Sequence, residues 1–97
     1  MTLEELQSLI DRMYSAKDRE RGPAATYLWF CEEVGELAAA LREGTQQEKS
    51  AEFADVLAWL ATLANISDVN LADAVMEKYG QGCPGCGQMV CACDSKP

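Results

Sequence analysis

From Pro23 to about Arg42 nothing interrupts the chain except Gly35, and Tyr27, Phe30, Val34, Leu37, Ala38 and Leu41 fall on one face at about 100° per residue. That run predicts a long helix and sets the pattern for the rest of the chain. Ahead of it, Thr2 with Glu5 has capping-box spacing, and Leu3, Leu6, Leu9, Ile10 and Met13 recur helically, so a first helix is expected to about Ala16. Lys17 to Gly22 is highly charged and ends in Gly22-Pro23, a turn signal that puts proline at the opening of the next helix. After the long run, Gly44 is a stop and Thr45 with Glu48 repeats the capping box, predicting a third helix from about Gln46 to Ala64 or Ile66. Asp68 or Asn70 caps a fourth, shorter helix through Leu71, Ala72, Val75, Met76 and Tyr79, which Gly80 and Gly82 end. Short connections imply antiparallel neighbours. The expectation is an all-α antiparallel bundle of about four helices over residues 1–80, with a cysteine-rich tail over 81–97.

A chain of 97 residues, 48% hydrophobic and 25% charged, is the size and composition of one globular domain. A helical domain this small buries little surface alone, so a homodimer or homotetramer is expected. The formal net charge is -8 and the basic residues are scattered apart from Lys17, Arg19 and Arg21, which argues against a DNA or RNA duplex as partner. No run approaches the eighteen or so apolar residues that span a bilayer, and Glu4 and Glu5 stand where a secretory signal needs positive charge, so the chain reads as cytoplasmic with no membrane partner.

The acidic residues are placed less innocently. Glu32, Glu33 and Glu36 lie within an arc of about 100° on the long helix, where like charges three or four apart destabilise by roughly 0.2–0.5 kcal/mol per pair. Taken alone, the arc reads first as a solvated stripe beside the core. Glu52 and Asp55, however, share wheel positions with Val56, Trp59, Leu63 and Ile66, the apolar face of the third helix, and are expected to point inward. A buried ionised carboxylate must be paired, protonated or bound to metal, and too few bases are present to pair these. If the two helices pack antiparallel, Glu33 and Glu36 face Glu52 and Asp55. Four oxygen ligands suit a hard divalent cation, Mg²⁺ or Mn²⁺, and a chain with no histidine lacks the usual zinc or di-iron alternatives in a bundle core.

Glu32-Glu33-Val34-Gly35-Glu36 followed by Glu52-Phe53-Ala54-Asp55 resembles the EExxE…ExxD signature of the MazG-like, all-α nucleotide pyrophosphohydrolases. The likeness takes in Asp18-Arg19-Glu20-Arg21-Gly22 before the motif, Ala54-Asp55-Val56-Leu57-Ala58-Trp59-Leu60 after it and Lys78-Tyr79 near the last helix's end, so it covers roughly residues 1–80. It implies hydrolysis of a nucleoside triphosphate between the α- and β-phosphates to a monophosphate and pyrophosphate, with Mg²⁺ held by Glu33, Glu36, Glu52 and Asp55. Bridging cations would remove the repulsion between an acidic cage and a triphosphate. Glu32 is left with two roles open: orienting or deprotonating the attacking water, a part Glu36 can also play, or supporting the cage. Arg19, Arg21 and Lys78, with Arg42 a weaker candidate, are expected at the phosphates, Trp29 at the base, and Trp59 in the core. The resemblance also allows the base pocket to draw on a neighbouring subunit.

Cys83-Pro84-Gly85-Cys86 and Cys91-Ala92-Cys93 give four thiols in a short stretch, whose first half looks like a zinc knuckle; glycines 82, 85 and 87 let the backbone close around Zn²⁺. A redox or disulfide role and an unstructured tail are the alternatives. Cys31 stands apart and is expected to be a buried small apolar residue. Against the enzyme stands a second class, a non-catalytic, zinc-tailed helical interaction or regulatory module.

Overall fold

Thr2 opens α1 (Leu3–Glu43) as expected: its hydroxyl oxygen accepts from the Glu5 N–H at 3.0 Å while its own N–H donates to the Glu5 carboxylate at 2.9 Å. Thr45 and Glu48 repeat the exchange at the start of α2 (Gln46–Ile66), and the Asn70 side chain accepts from the Asp73 N–H to start α3 (Leu71–Tyr79). The computed structural model describes residues 1–95, and among them there are three helices and no strand.

Three helices stand where four were expected because α1 contains the first two expected segments, joined end to end across a break at Gly22, where the turn signal falls. The helix does not stop at Ala16 but runs through the charged stretch to Arg21, breaks its dihedrals only at Gly22 (φ 82, ψ 168), and resumes at Pro23. Lys, Arg and Glu are good helix formers, so the charge of this segment is no barrier to helix. Proline then starts the second half without losing a bond, because the first helical N–H groups have no intrahelical partner. The kink is tied from both sides: the Thr26 hydroxyl donates to the Gly22 carbonyl at 2.7 Å, and the Arg21 guanidinium donates to Thr26 Oγ1 and to Asp18 Oδ1, both at 3.2 Å. A straight helix of this length would span about 60 Å; the molecule's longest dimension is 42 Å.

Both halves of α1 pack along α2, and α3 rests more lightly on α1. Gln7 fixes the α2–α3 turn, its amide donating to the Val69 carbonyl at 2.7 Å and accepting from the Leu71 N–H at 2.8 Å. The buried apolar residues are few and mostly small, Ile10, Ala40, Ala61 and Ala64. Alanines at the contact let the two backbones approach closely.

The inward stripe of α1 after the kink is Thr26, Phe30, Glu33, Leu37 and Ala40, all buried or half-buried. The expected core positions Tyr27, Val34 and Leu41 lie outside it, and with Phe53, Leu57 and Leu60 of α2 they are 40–56% exposed. Each helix thus carries a second apolar row that a single chain leaves uncovered. No helix among the described residues is long and apolar enough to cross a membrane.

Candidate functional site

The inward stripe places Glu33 opposite α2, and α2 supplies Glu52 at the same level. Glu33, Glu36 and Glu52 each bring a carboxylate oxygen within 4.8 Å of the other two. Oε2 of Glu33 and Oε2 of Glu52 are both shut off from solvent with no hydrogen-bond partner. Burial, followed by the charge of Glu36 and more weakly of Asp55 and Glu52, pushes the Glu33 carboxyl up to about 6. Glu52 is raised for the same reasons, burial first and then Glu36 and Asp55. Two unpartnered carboxylate oxygens beside a third carboxylate form a donor set of hard oxygens that a divalent cation fits.

Asp55 departs from the inward position expected of it. It is exposed, one turn along α2 from Glu52, near enough for its charge to act on Glu33 and Glu52 but outside the tight group of three. There it borders a pocket of about 350 Å³ walled by Ile10, Tyr14, Lys17 and Asp18 of α1 and by Ala58 and Trp59 of α2. Glu32 is exposed and joins neither the cluster nor the pocket lining.

Trp59, expected in the core, is half-buried and lines that pocket. The Arg21 guanidinium sits over its ring at 5.0 Å, and Trp29 stacks beside it with ring centroids 6.2 Å apart and planes 17° from parallel. Arg21 also forms the ion pair with Asp18, whose side chain is 3% exposed. Of the expected cations, then, Arg21 reaches the pocket. Arg19 is exposed, Arg42 pairs with Glu43 at the end of α1, and Lys78 extends over the Tyr79 ring on α3; none lines the pocket. Lys17 and Tyr14 do; sequence reasoning missed Lys17 because it ended the first helix at Ala16, and Tyr14 because it followed only the apolar face of that helix. Their spacing with Ile10, Asp18 and Arg21 (i, i+4, i+7, i+8, i+11) is the signal that would have found them.

A family model for the MazG nucleotide pyrophosphohydrolase domain matches residues 21–87. The chain belongs to that family. No curated protein matches it. The MazG match contains every acid of the cluster together with Arg21, Trp29 and Trp59, while the first-helix wall of the pocket lies ahead of it.

The last cysteines of the tail also converge. Cys83, Cys86, Cys91 and Cys93 each place sulfur within 4.8 Å of the other three, and all are free thiols. Backbone N–H groups of Ala92 and Gln88 pull the Cys86 thiol down to about 6; Cys91, facing the Cys93 N–H, is also lowered; Cys93, beside the Cys91 and Cys83 sulfurs, is raised to about 11. Cys31, expected to be buried, is exposed on α1.

Proposed function

We propose that this MazG domain is a divalent-metal-dependent nucleoside triphosphate pyrophosphohydrolase, cleaving ribo- or deoxyribonucleotides between the α- and β-phosphates to a monophosphate and pyrophosphate. The observation that carries the reading is that Glu33 and Glu52, each with a solvent-excluded, unpartnered oxygen, converge with Glu36 so that one carboxylate oxygen of each lies within 4.8 Å of the others. Folding places like charges together there at a cost, and among the described residues no basic side chain pairs with them. In this reading Glu33, Glu36 and Glu52 hold Mg²⁺ or Mn²⁺, with Asp55 completing the set from the pocket rim. The cation, when bound, supplies charge neutralisation for the phosphate chain and for the group being attacked.

The chain's own residues do the rest. Lys17 and Arg21 offer cationic donors to phosphate oxygens, Arg21 with a planar fork already held in place by Asp18 and Trp59. Trp59, with Trp29 and Tyr14 near it, presents an aromatic wall to the base. Glu32 and Glu36 remain the candidates to orient or deprotonate the water. The uncovered rows Tyr27–Val34–Leu41 and Phe53–Leu57–Leu60 support a homodimer or a dimer of dimers, since soluble monomers rarely leave such faces bare.

The test is a panel of canonical and damaged nucleoside and deoxynucleoside triphosphates, scored for pyrophosphate with Mg²⁺ and with chelator. Turnover of at least one nucleotide, lost on chelation, is expected. No turnover of any would move the reading to a non-catalytic interaction module.

A further inference from the structure

The described part of the tail has no apolar core of its own. Among the described residues no hydrogen bond or ion pair ties Cys83–Ser95 to α1 or α2, and its two large apolar side chains, Met89 and Val90, are 82% and 84% exposed. A segment with no core remains irregular unless something else closes it.

What converges inside it is sulfur. The chain turns back on itself through two backbone bonds, Cys83 N–H to the Gln88 carbonyl at 2.8 Å and Gly87 N–H to the Cys83 carbonyl at 2.6 Å. The turn depends on glycine: Gly87 has φ 76, and Gly82 has φ 107 with the Gln88 carbonyl oxygen 2.9 Å from where a Cβ would stand. Around this turn the Cys83 sulfur lies 3.6 Å from that of Cys91 and 3.8 Å from that of Cys93. Sulfurs bound to Zn²⁺ at about 2.3 Å in a tetrahedron stand about 3.8 Å apart, whereas disulfide sulfurs stand about 2.05 Å apart. The spacing is that of ligands sharing one ion. Backbone N–H groups point at the sulfurs as well, Gly85 at Cys83 (3.4 Å), Ala92 at Cys86 (3.3 Å) and Cys93 at Cys91 (3.4 Å). Such donors stabilise thiolate charge and orient the ligands.

We propose that Cys83, Cys86, Cys91 and Cys93 bind one structural Zn²⁺ that folds the tail into a knuckle at the end of α3. Four thiols give up their protons and the closed tetrahedral site leaves no open position, so the ion organises the chain and takes no part in hydrolysis. The two metal centres sort by ligand: sulfur for the zinc, carboxylate oxygen for the hard cation. The full chain is purified without chelator or added metal and its metals measured by mass spectrometry, its thiols counted, and its Co²⁺-substituted form examined by absorption. Expected are about one zinc per chain, tetrahedral visible bands with a strong thiolate-to-cobalt transition, loss of both in the Cys83→Ser, Cys86→Ser variant with helicity unchanged, and retention in Cys31→Ser and in Glu33→Gln. Iron in place of zinc, disulfides among the four cysteines, metal-free protein with free thiols, or zinc retained after Cys83 and Cys86 are replaced would each overturn the assignment.

Discussion

Glu33 and Glu52 approach each other across the α1–α2 interface, each with its Oε2 atom excluded from solvent and unpartnered. Removing one of these charges relieves repulsion and desolvation. Glu33→Gln and Glu52→Gln should therefore melt at or above the wild-type temperature without divalent cation, and should lose the upward shift in melting temperature that Mg²⁺ gives the wild type. A drop in stability of either variant in chelator would mean the pair is held by a partner other than a cation.

The same strain sets a pH dependence. The Glu33 carboxyl is raised to about 6 in the fold from an ordinary value of 4.5, so the folded chain binds the proton more tightly than the unfolded one. Its contribution to stability is complete below the ordinary value and is lost as pH rises through about 6. Metal-free protein should thus melt at lower temperature at pH 7 than at pH 5, a fall that Glu33→Gln reduces and saturating Mg²⁺ opposes. Melting curves across this range in chelator provide the check.

At the kink, Gly22 holds a backbone conformation open essentially to glycine alone, with free space around the position. Gly22→Ala should cost about 1–3 kcal/mol through the backbone rather than through any clash. Urea unfolding reads this as a lowered midpoint with an unchanged slope; a neutral result would mean the kink angle is set elsewhere.

The capping boxes at Thr2 and Thr45 and the break at Gly22 were legible in the sequence because each rests on local chemistry. Helix through Lys17–Arg21 was not, since a cluster of charges reads as a turn until Arg21 is seen reaching back to Asp18 and forward to Thr26. The acids at 33, 36 and 52 do lie together, but Asp55, also placed inward, is exposed, and Trp59, placed inward in the core, is half-buried and lines a pocket between α1 and α2. A helical wheel gives the direction of an apolar face without saying what covers it. Tyr27, Val34 and Leu41 were read as core for that reason, and a single chain leaves them bare.

That bare surface carries its own expectation. Sedimentation should find the protein as a dimer or tetramer, and Val34→Lys with Leu57→Lys should shift it to monomer while helix content is retained. A wild-type monomer at micromolar concentration would remove the second copy from the proposal.

Product identity tests the central reading most directly. Phosphorus NMR of the best nucleotide substrate, followed with Mg²⁺ and with chelator, should show monophosphate and pyrophosphate appearing together, only with the metal, and not with Glu36→Gln or Glu52→Gln. Diphosphate with orthophosphate, or equal turnover in chelator, would contradict it.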